Sequence, residues 1–314
     1  MTIFIGIDGG GTHSTAVALT EEGTLRARSE GGGMNYLTDG IETCSRRLQD
    51  MLTKLLLSCP GDSVGGICVG SAALDGPASA EVKGQFYEEI SGLKTSFPSE
   101  MAEMSEERFE MQSDLFVALM GVTGGEPGLM VVAGTGSMLL LMDRKGGQHV
   151  SGGWGSKFGD VLSGYTLARQ ALELAMDYED DLGRGAQLHA AALDFFRADN
   201  LRSMVERLYT EEYTPAKLAA FAPRVLALME QGDREALNIV AKNVAAMAER
   251  AKKLLDTYPE VKRVALYGGM FQHSRWIRDA FVSLLTDADP DLQVELAETP
   301  PEMGAAQYMM SRCR

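Results

Sequence analysis

Two stretches of this chain are written to one plan, and that duplication limits the fold more than any other feature. "TIFIGI" reads as a buried strand, "DGGGTHS" as a glycine turn, "THSTAVALT" as a second strand and "TLRARSEG" as a third after the tight "EEG". Residues 129–153, "LMVVAGTGSMLLLMDRKGGQHVSGG", repeat the order: apolar strand, Gly-x-Gly turn with Thr and Ser, strand, tight turn, strand. A solenoid needs three or more short copies, so two long copies imply two similar lobes. Lobes of that kind enclose a cleft, where ligands commonly bind. The expected fold is therefore α/β, with two duplicated lobes, each a mixed sheet flanked by helices, and a cleft between them.

The intervening segments supply the helices. After Asp39, with Glu42 as a capping-box partner, Ile41, Cys44, Leu48, Leu52, Leu55 and Leu56 recur at helical spacing. "GGICVGSAAL" reads as a strand, and a helix is expected from about Ser79 to Ile90. Residues 160–256 are almost purely helical in pattern, "RVALYGGM" is a strand ending in paired glycines, and a strand "LQVEL" and a helix after Pro301 finish the chain.

At 314 residues, 45% hydrophobic and 23% charged, the chain is long enough for two cores. A net charge of -15 disfavours nucleic acid and anionic membranes, because their phosphates would meet a surface of the same sign. Any bound phosphate must be held by local geometry. Cys44, Cys59, Cys68 and Cys313 lack CxxC spacing and the four histidines are scattered, so reduced thiols and no structural metal are expected. The first residues carry no basic segment before a long apolar core, since Asp8 interrupts "IFIGI", so a cytoplasmic location is expected. No run of 18 apolar residues argues for a membrane span.

The pattern GxxxxGK[ST] is absent, and "GGGT" joins two strands instead of a strand and a helix, which disfavours a P-loop and a dinucleotide fingerprint. A glycine hairpin still presents backbone N–H groups that can bind phosphate oxygens. Gly10, Gly11 and Thr12 form one such turn; Gly134, Thr135, Gly136 and Ser137 form the second; Gly268, Gly269 and Met270 end a strand where a nucleoside could lie on bare backbone. The alternative for a single turn is a tight hairpin that simply needs positive φ. Asp8, next to the first turn, would face phosphates, and Mg²⁺ is the natural mediator for such a carboxylate; otherwise it is a turn aspartate bonded to its own backbone.

Taken in order, "GIDGGGTHS", "VVAGTGS", "GGWGSKFGD" and "LYGGMF" resemble the sugar kinase, heat-shock-70 and actin superfold, and within it the BadF/BadG-type ATPase family that contains N-acetylglucosamine kinase. The resemblance spans essentially the whole chain. It implies actin-like (ribonuclease H-like) lobes, the first from 1–113 plus about 300–314 and the second from 114–299, with nucleotide and sugar between them and a homodimer compatible with the family. It makes Asp114, in "QSDLFVAL", the base that takes a proton from a sugar hydroxyl, a role chemically suited to a positioned carboxylate. Without the resemblance, Asp114 reads as the N-cap of "LFVALMGV". Gly153, Trp154, Gly155 and Asp160 match the family's sugar-contacting segment, and Asn35 in "GGGMNYL" matches its asparagine from the first lobe; their plainer readings are a core tryptophan and a loop residue.

The chain departs from the family in two places. The usual Gly-Asp-Glu-Gly-Ser is here Gly159-Asp160-Val161-Leu162-Ser163, and the Ser-Gly-Gly element for the N-acetyl group is "GSAALDGP". The resemblance thus implies an ATP- and Mg²⁺-dependent kinase of an amino sugar. N-acetylglucosamine at its 6-hydroxyl is favoured, with glucosamine and N-acetylmuramic acid as close competitors. Two alternatives are an iron–sulfur ATPase activating a 2-hydroxyacyl-CoA dehydratase or benzoyl-CoA reductase, and a non-catalytic sugar sensor. The activator would need cysteines in the second lobe, and none lies between Asp114 and Glu298.

Overall fold

The computed structural model describes residues 1–74, 76–210 and 214–313, which leaves Asp75 of "GSAALDGP" and residues 211–213 of the helical stretch outside the description. The chain divides into two compact units, Met1–Glu126 with Ala297–Arg314, and Pro127–Leu296. This division falls later than residue 113, because the helix that starts at Asp114 packs on the C-terminal helix and stays with the first unit.

In the first unit, β1 (Thr2–Gly9), β2 (His13–Thr20) and β3 (Leu25–Gly32) form an antiparallel meander. β4 (Ser63–Ser71) and β5 (Phe109–Ser113) extend it in parallel, giving the order β3-β2-β1-β4-β5. The helices are α1 (Tyr36–Asp39), α2 (Ile41–Ser58), α3 (Ala80–Ser91), α4 (Leu93–Ser96) and α5 (Asp114–Thr123). β1 is buried along nearly its whole length, as expected for a strand covered on both faces. One face carries a cluster of Ile3, Ile5 and Ile7 with Leu48, Leu52 and Leu55 of α2. The expected capping box of α2 is not formed. Gly40, with φ of 80°, occupies the N-cap, and Asp39 instead ends α1 and pairs with Arg47.

In the second unit, β6 (Gly128–Ala133), β7 (Ser137–Met142), β8 (Gln148–Gly152), β9 (Arg263–Tyr267) and β10 (Gln293–Leu296) form a sheet of order β10-β9-β6-β7-β8. β6, β7 and β8 are antiparallel, and β9 and β10 are parallel additions beside β6. Read from its third strand, the order repeats the first sheet, so the duplicated sequence plan produces a duplicated topology. Its helices are α6 (Gly164–Glu179), α7 (Ala186–Phe196), α8 (Leu201–Thr210), α9 (Pro215–Ala219), α10 (Ala222–Glu230), α11 (Arg234–Thr257), α12 (Gly269–His273) and α13 (Arg275–Thr286). They bury their apolar stripes in a second core that contains Leu129, Val131, Leu167, Phe221, Val244 and Phe281. Among the described residues no helix is long and apolar enough to cross a membrane.

The last helix, α14 (Pro301–Arg312), returns to the first unit and lies against β1, β4 and α5. Its small residues allow a backbone-to-backbone fit. A Cβ on Gly6 of β1 would lie 2.0 Å from the Glu302 carbonyl, and one on Gly304 would lie 1.9 Å from the Val117 carbonyl.

Candidate active site

In the first unit the candidate residues gather at the C-terminal ends of parallel strands. β1 and β4 pair Asp8 with Gly70, and β4 and β5 pair Ser71 with Ser113, so Asp8, one residue before the end of β1, and Asp114, directly after β5, lie at the same C-terminal end of the parallel strands. The strand order reverses at β1, and the carboxyl end of the strands beside such a reversal is the usual ligand position in an open α/β sheet. Asp114 is not the N-cap of its helix. Ser113 holds that place, its Oγ accepting from Phe116 N at 3.1 Å, while Asp114 is the first helical residue and its Oδ1 accepts from Leu115 N at 2.7 Å.

Asp8 is a carboxylate under pressure. Burial raises its pKa to about 6, with repulsion from Glu302 and then Asp114 adding to the effect and His13 opposing it. Glu302, only 5% exposed, sits in the first turn of α14 and has Arg28 as its ion-pair partner at 3.7 Å. Sequence reading missed Glu302, because an acid next to Pro301 looks like an ordinary first-turn residue. Among the described residues no three His, Cys, Asp or Glu side chains are spaced to cage a metal. A dication here would take one or two carboxylates, water and phosphate oxygens, which is how Mg²⁺ binds nucleotides, so the crowded charge at Asp8 fits that ion.

The glycine turns separate into residues the fold needs and residues it does not. At Gly10 a Cβ would lie 2.7 Å from the His13 carbonyl, so the hairpin itself excludes a side chain. At Gly11 and Gly134 a Cβ would meet nothing within 4 Å, and neither has a positive φ. The backbone N–H groups of Gly11, Thr12, Thr135 and Gly136 donate to no acceptor among the described residues. Both turns therefore offer open donors with room beside them. The second turn is braced from α6, whose Gly164 N–H donates to Gly134 O at 2.7 Å and Tyr165 N–H to Thr135 O at 3.3 Å. Gly268, with φ of 100°, abuts it closely enough that a Cβ would lie 2.5 Å from the Ala133 carbonyl. Gly269 starts α12, and the Met270 side chain is buried in the second core, so only its backbone remains to line a nucleoside site.

The remaining candidates lie on two loops. Asn35 is half-buried and caps α1, its Oδ1 accepting from Leu37 N at 3.1 Å. Trp154 is 77% exposed between Gly153 and Gly155, both of positive φ, so it is no core residue. Phe158, unmarked by sequence reading, is 80% exposed four residues later. Asp160 is 4% exposed. Burial raises its pKa, opposed by the Ser137 and Gly155 amides and the Arg250 charge. Its Oδ1 is buried without a hydrogen-bond partner. A buried acceptor left open in this way is costly unless something supplies a donor. Leu162, fully buried, adopts φ of 57°, the left-handed conformation suited to the glycine it replaces in the resembling pattern.

The chain is 25% identical to the N-acetyl-D-glucosamine kinase of Dictyostelium discoideum, across 97% of this chain and 96% of that one. It is 23% identical to the N-acetylmuramic acid/N-acetylglucosamine kinase of Clostridium acetobutylicum across the full length of both. A solved structure from Chromobacterium violaceum, provisionally named an N-acetylglucosamine kinase, is 26% identical, covers 98% of each chain and superposes with a TM-score of 0.64. With the family's model matching residues 5–307, the chain belongs to the BadF/BadG/BcrA/BcrD ATPase family.

Proposed function

We propose that this protein is a kinase that transfers the terminal phosphoryl group of ATP to an amino sugar, with N-acetylglucosamine at its 6-hydroxyl the favoured acceptor. The carrying observation is the pair of glycine turns, at equivalent places in two duplicated sheets, in which the N–H groups of Gly11, Thr12, Thr135 and Gly136 find no acceptor among the described residues. Such donors suit phosphate oxygens. The names of the similar proteins, all amino-sugar kinases, support the acceptor class.

In this reading Gly10 to Thr12 and Gly134 to Ser137 hold the phosphates, and the backbone of Gly268 to Met270 adjoins the nucleoside. Asp8 holds Mg²⁺, which when bound neutralises phosphate charge and orients the leaving group. Asp114, relieved of capping by Ser113, accepts the proton of the sugar hydroxyl as it attacks phosphorus. Trp154 lies along the apolar face of the ring, and Asn35 and Asp160 meet its hydroxyls.

The activator reading fares worse on the chain's own residues. All four cysteines lie in the first unit and three are buried, with the Cys68 thiol pushed far up by burial, whereas cluster ligation needs accessible thiolates. Four free thiols also agree with a cytoplasmic setting.

The test is ADP release from ATP and Mg²⁺ with N-acetylglucosamine, glucosamine and N-acetylmuramic acid. At least one sugar is expected to accelerate release well above background. Asp114→Asn should lower that turnover by roughly 10²- to 10⁴-fold and leave nucleotide affinity within about twofold. If no sugar stimulates release, or if Asp114→Asn turns over normally, the reading fails.

A further inference from the structure

The segment from Gly152 to Asp160 presents Trp154 and Phe158 to solvent on a backbone that is intrinsically loose. Gly152, Gly153, Gly155 and Gly159 all have positive φ, between 69° and 121°. Glycine so dense in a loop raises the entropy lost when the loop is ordered, so a defined aromatic platform needs an outside tether. Arg250, on α11, bonds one end and passes close to the other. Its Nη1 lies 3.5 Å from the Gly159 carbonyl and 3.6 Å from where a Cβ on Gly152 would stand. The same guanidinium acts electrostatically on Asp160, whose Oδ1 is buried without a partner.

We propose that Arg250 is a positioning residue for the sugar: it holds the Gly159 end of this loop, whose Gly152 end is fixed in β8, and so aims Trp154 and the open Oδ1 of Asp160 at the substrate. The inference rests on the sugar-kinase reading and adds to it a residue outside the matched motifs. Arginine suits the task because its guanidinium keeps its charge and donates in a fixed plane, so one N–H can hold the Gly159 carbonyl while the charge faces Asp160. The other charges around this groove are otherwise engaged or remote. Arg169 pairs with Glu173 and Arg184 with Asp177, while Lys157 and Lys242 are exposed and Glu235 lies about four helical turns from Arg250 on α11. Arg250 is thus the cation that opposes the effect of burial on Asp160.

The experiment compares wild type, Arg250→Gln and Arg250→Lys in KM for sugar, KM for ATP, kcat, melting temperature and the acid limb of kcat/KM for the sugar. Arg250→Gln is expected to raise the sugar KM roughly tenfold, with ATP KM and melting temperature close to wild type. Arg250→Lys should recover part of the loss. The acid limb should move to higher pH in Arg250→Gln, because removing the positive charge leaves burial less opposed at Asp160. If the sugar and ATP constants change together, or neither changes, or the acid limb stays in place, the proposal is overturned. Should Arg250→Gln not fold, the same comparison made with Arg250→Lys decides it. A wild type that phosphorylates no sugar sinks the function itself, whereas a working wild type with an indifferent Arg250→Gln sinks this inference alone.

Discussion

Gly11 and Gly134 are glycines that the folded chain does not itself require, since a methyl group at either would meet open space on an ordinary backbone. Gly11→Ala and Gly134→Ala should therefore leave the melting temperature unchanged or slightly raised, a gain of up to about 1 kcal/mol from a less flexible unfolded chain. Both should weaken ATP binding roughly tenfold, measured by titration calorimetry with a non-hydrolysable analogue. Gly268→Ala is the contrast, because its positive φ and the Ala133 carbonyl 2.5 Å from the added Cβ make it unstable whatever it binds. Asp8 makes a pH-dependent prediction. Its pKa rises from 3.8 to about 6 on folding, so the folded chain binds more protons than the unfolded one between those values. Its contribution to stability is complete below about pH 4 and is lost as pH climbs through 6. Binding of Mg²⁺ and nucleotide should follow the opposite course, strengthening from pH 5 to 7 with release of a proton, as calorimetry in buffers of different ionisation heat would show. Asp8→Asn should lose that pH dependence and stabilise the unliganded protein at pH 8 by about 1 kcal/mol, after allowing for its partial exposure.

Among the elements, α14 depends most on distant partners. Its Gly304 lets the helix touch α5 backbone to backbone, so Gly304→Ala should cost about 3 kcal/mol or more, read as a lower denaturant midpoint. The existence of this helix is legible in "PEMGAAQYMM" after Pro301, but the reason for Gly-Ala-Ala is not, because it lies in the carbonyl of Val117 from another part of the chain. The body of α2 was equally plain from Cys44, Leu48, Leu52 and Leu55, all fully buried, whereas its start was misread: Gly40 turns the chain with positive φ and Asp39 is drawn to Arg47. A hydrophobic period is averaged over many residues; a cap depends on one side chain and its reach. The same sensitivity gave the cap of α5 to Ser113 instead of Asp114, a shift of one residue that makes Asp114 the first residue of the helix.

At the scale of the molecule, each unit has its own sheet and its own buried cluster, so calorimetry of the unliganded protein should resolve two unfolding transitions, with Gly304→Ala lowering only that of the first unit. A single transition lowered as a whole by Gly304→Ala would contradict independent cores. The duplicated plan, the alternation of strands and helices and the position of both glycine turns were determined by the sequence alone, because periodicity and glycine content act over a few neighbouring residues. Tertiary structure alone decided that Glu302 crowds Asp8, that Arg250 reaches the Trp154 loop, and that Gly11 stands open while Gly10 is hemmed in. Those facts depend on ångström-scale distances between groups far apart in the chain, and such distances exist only once the backbone has closed around them.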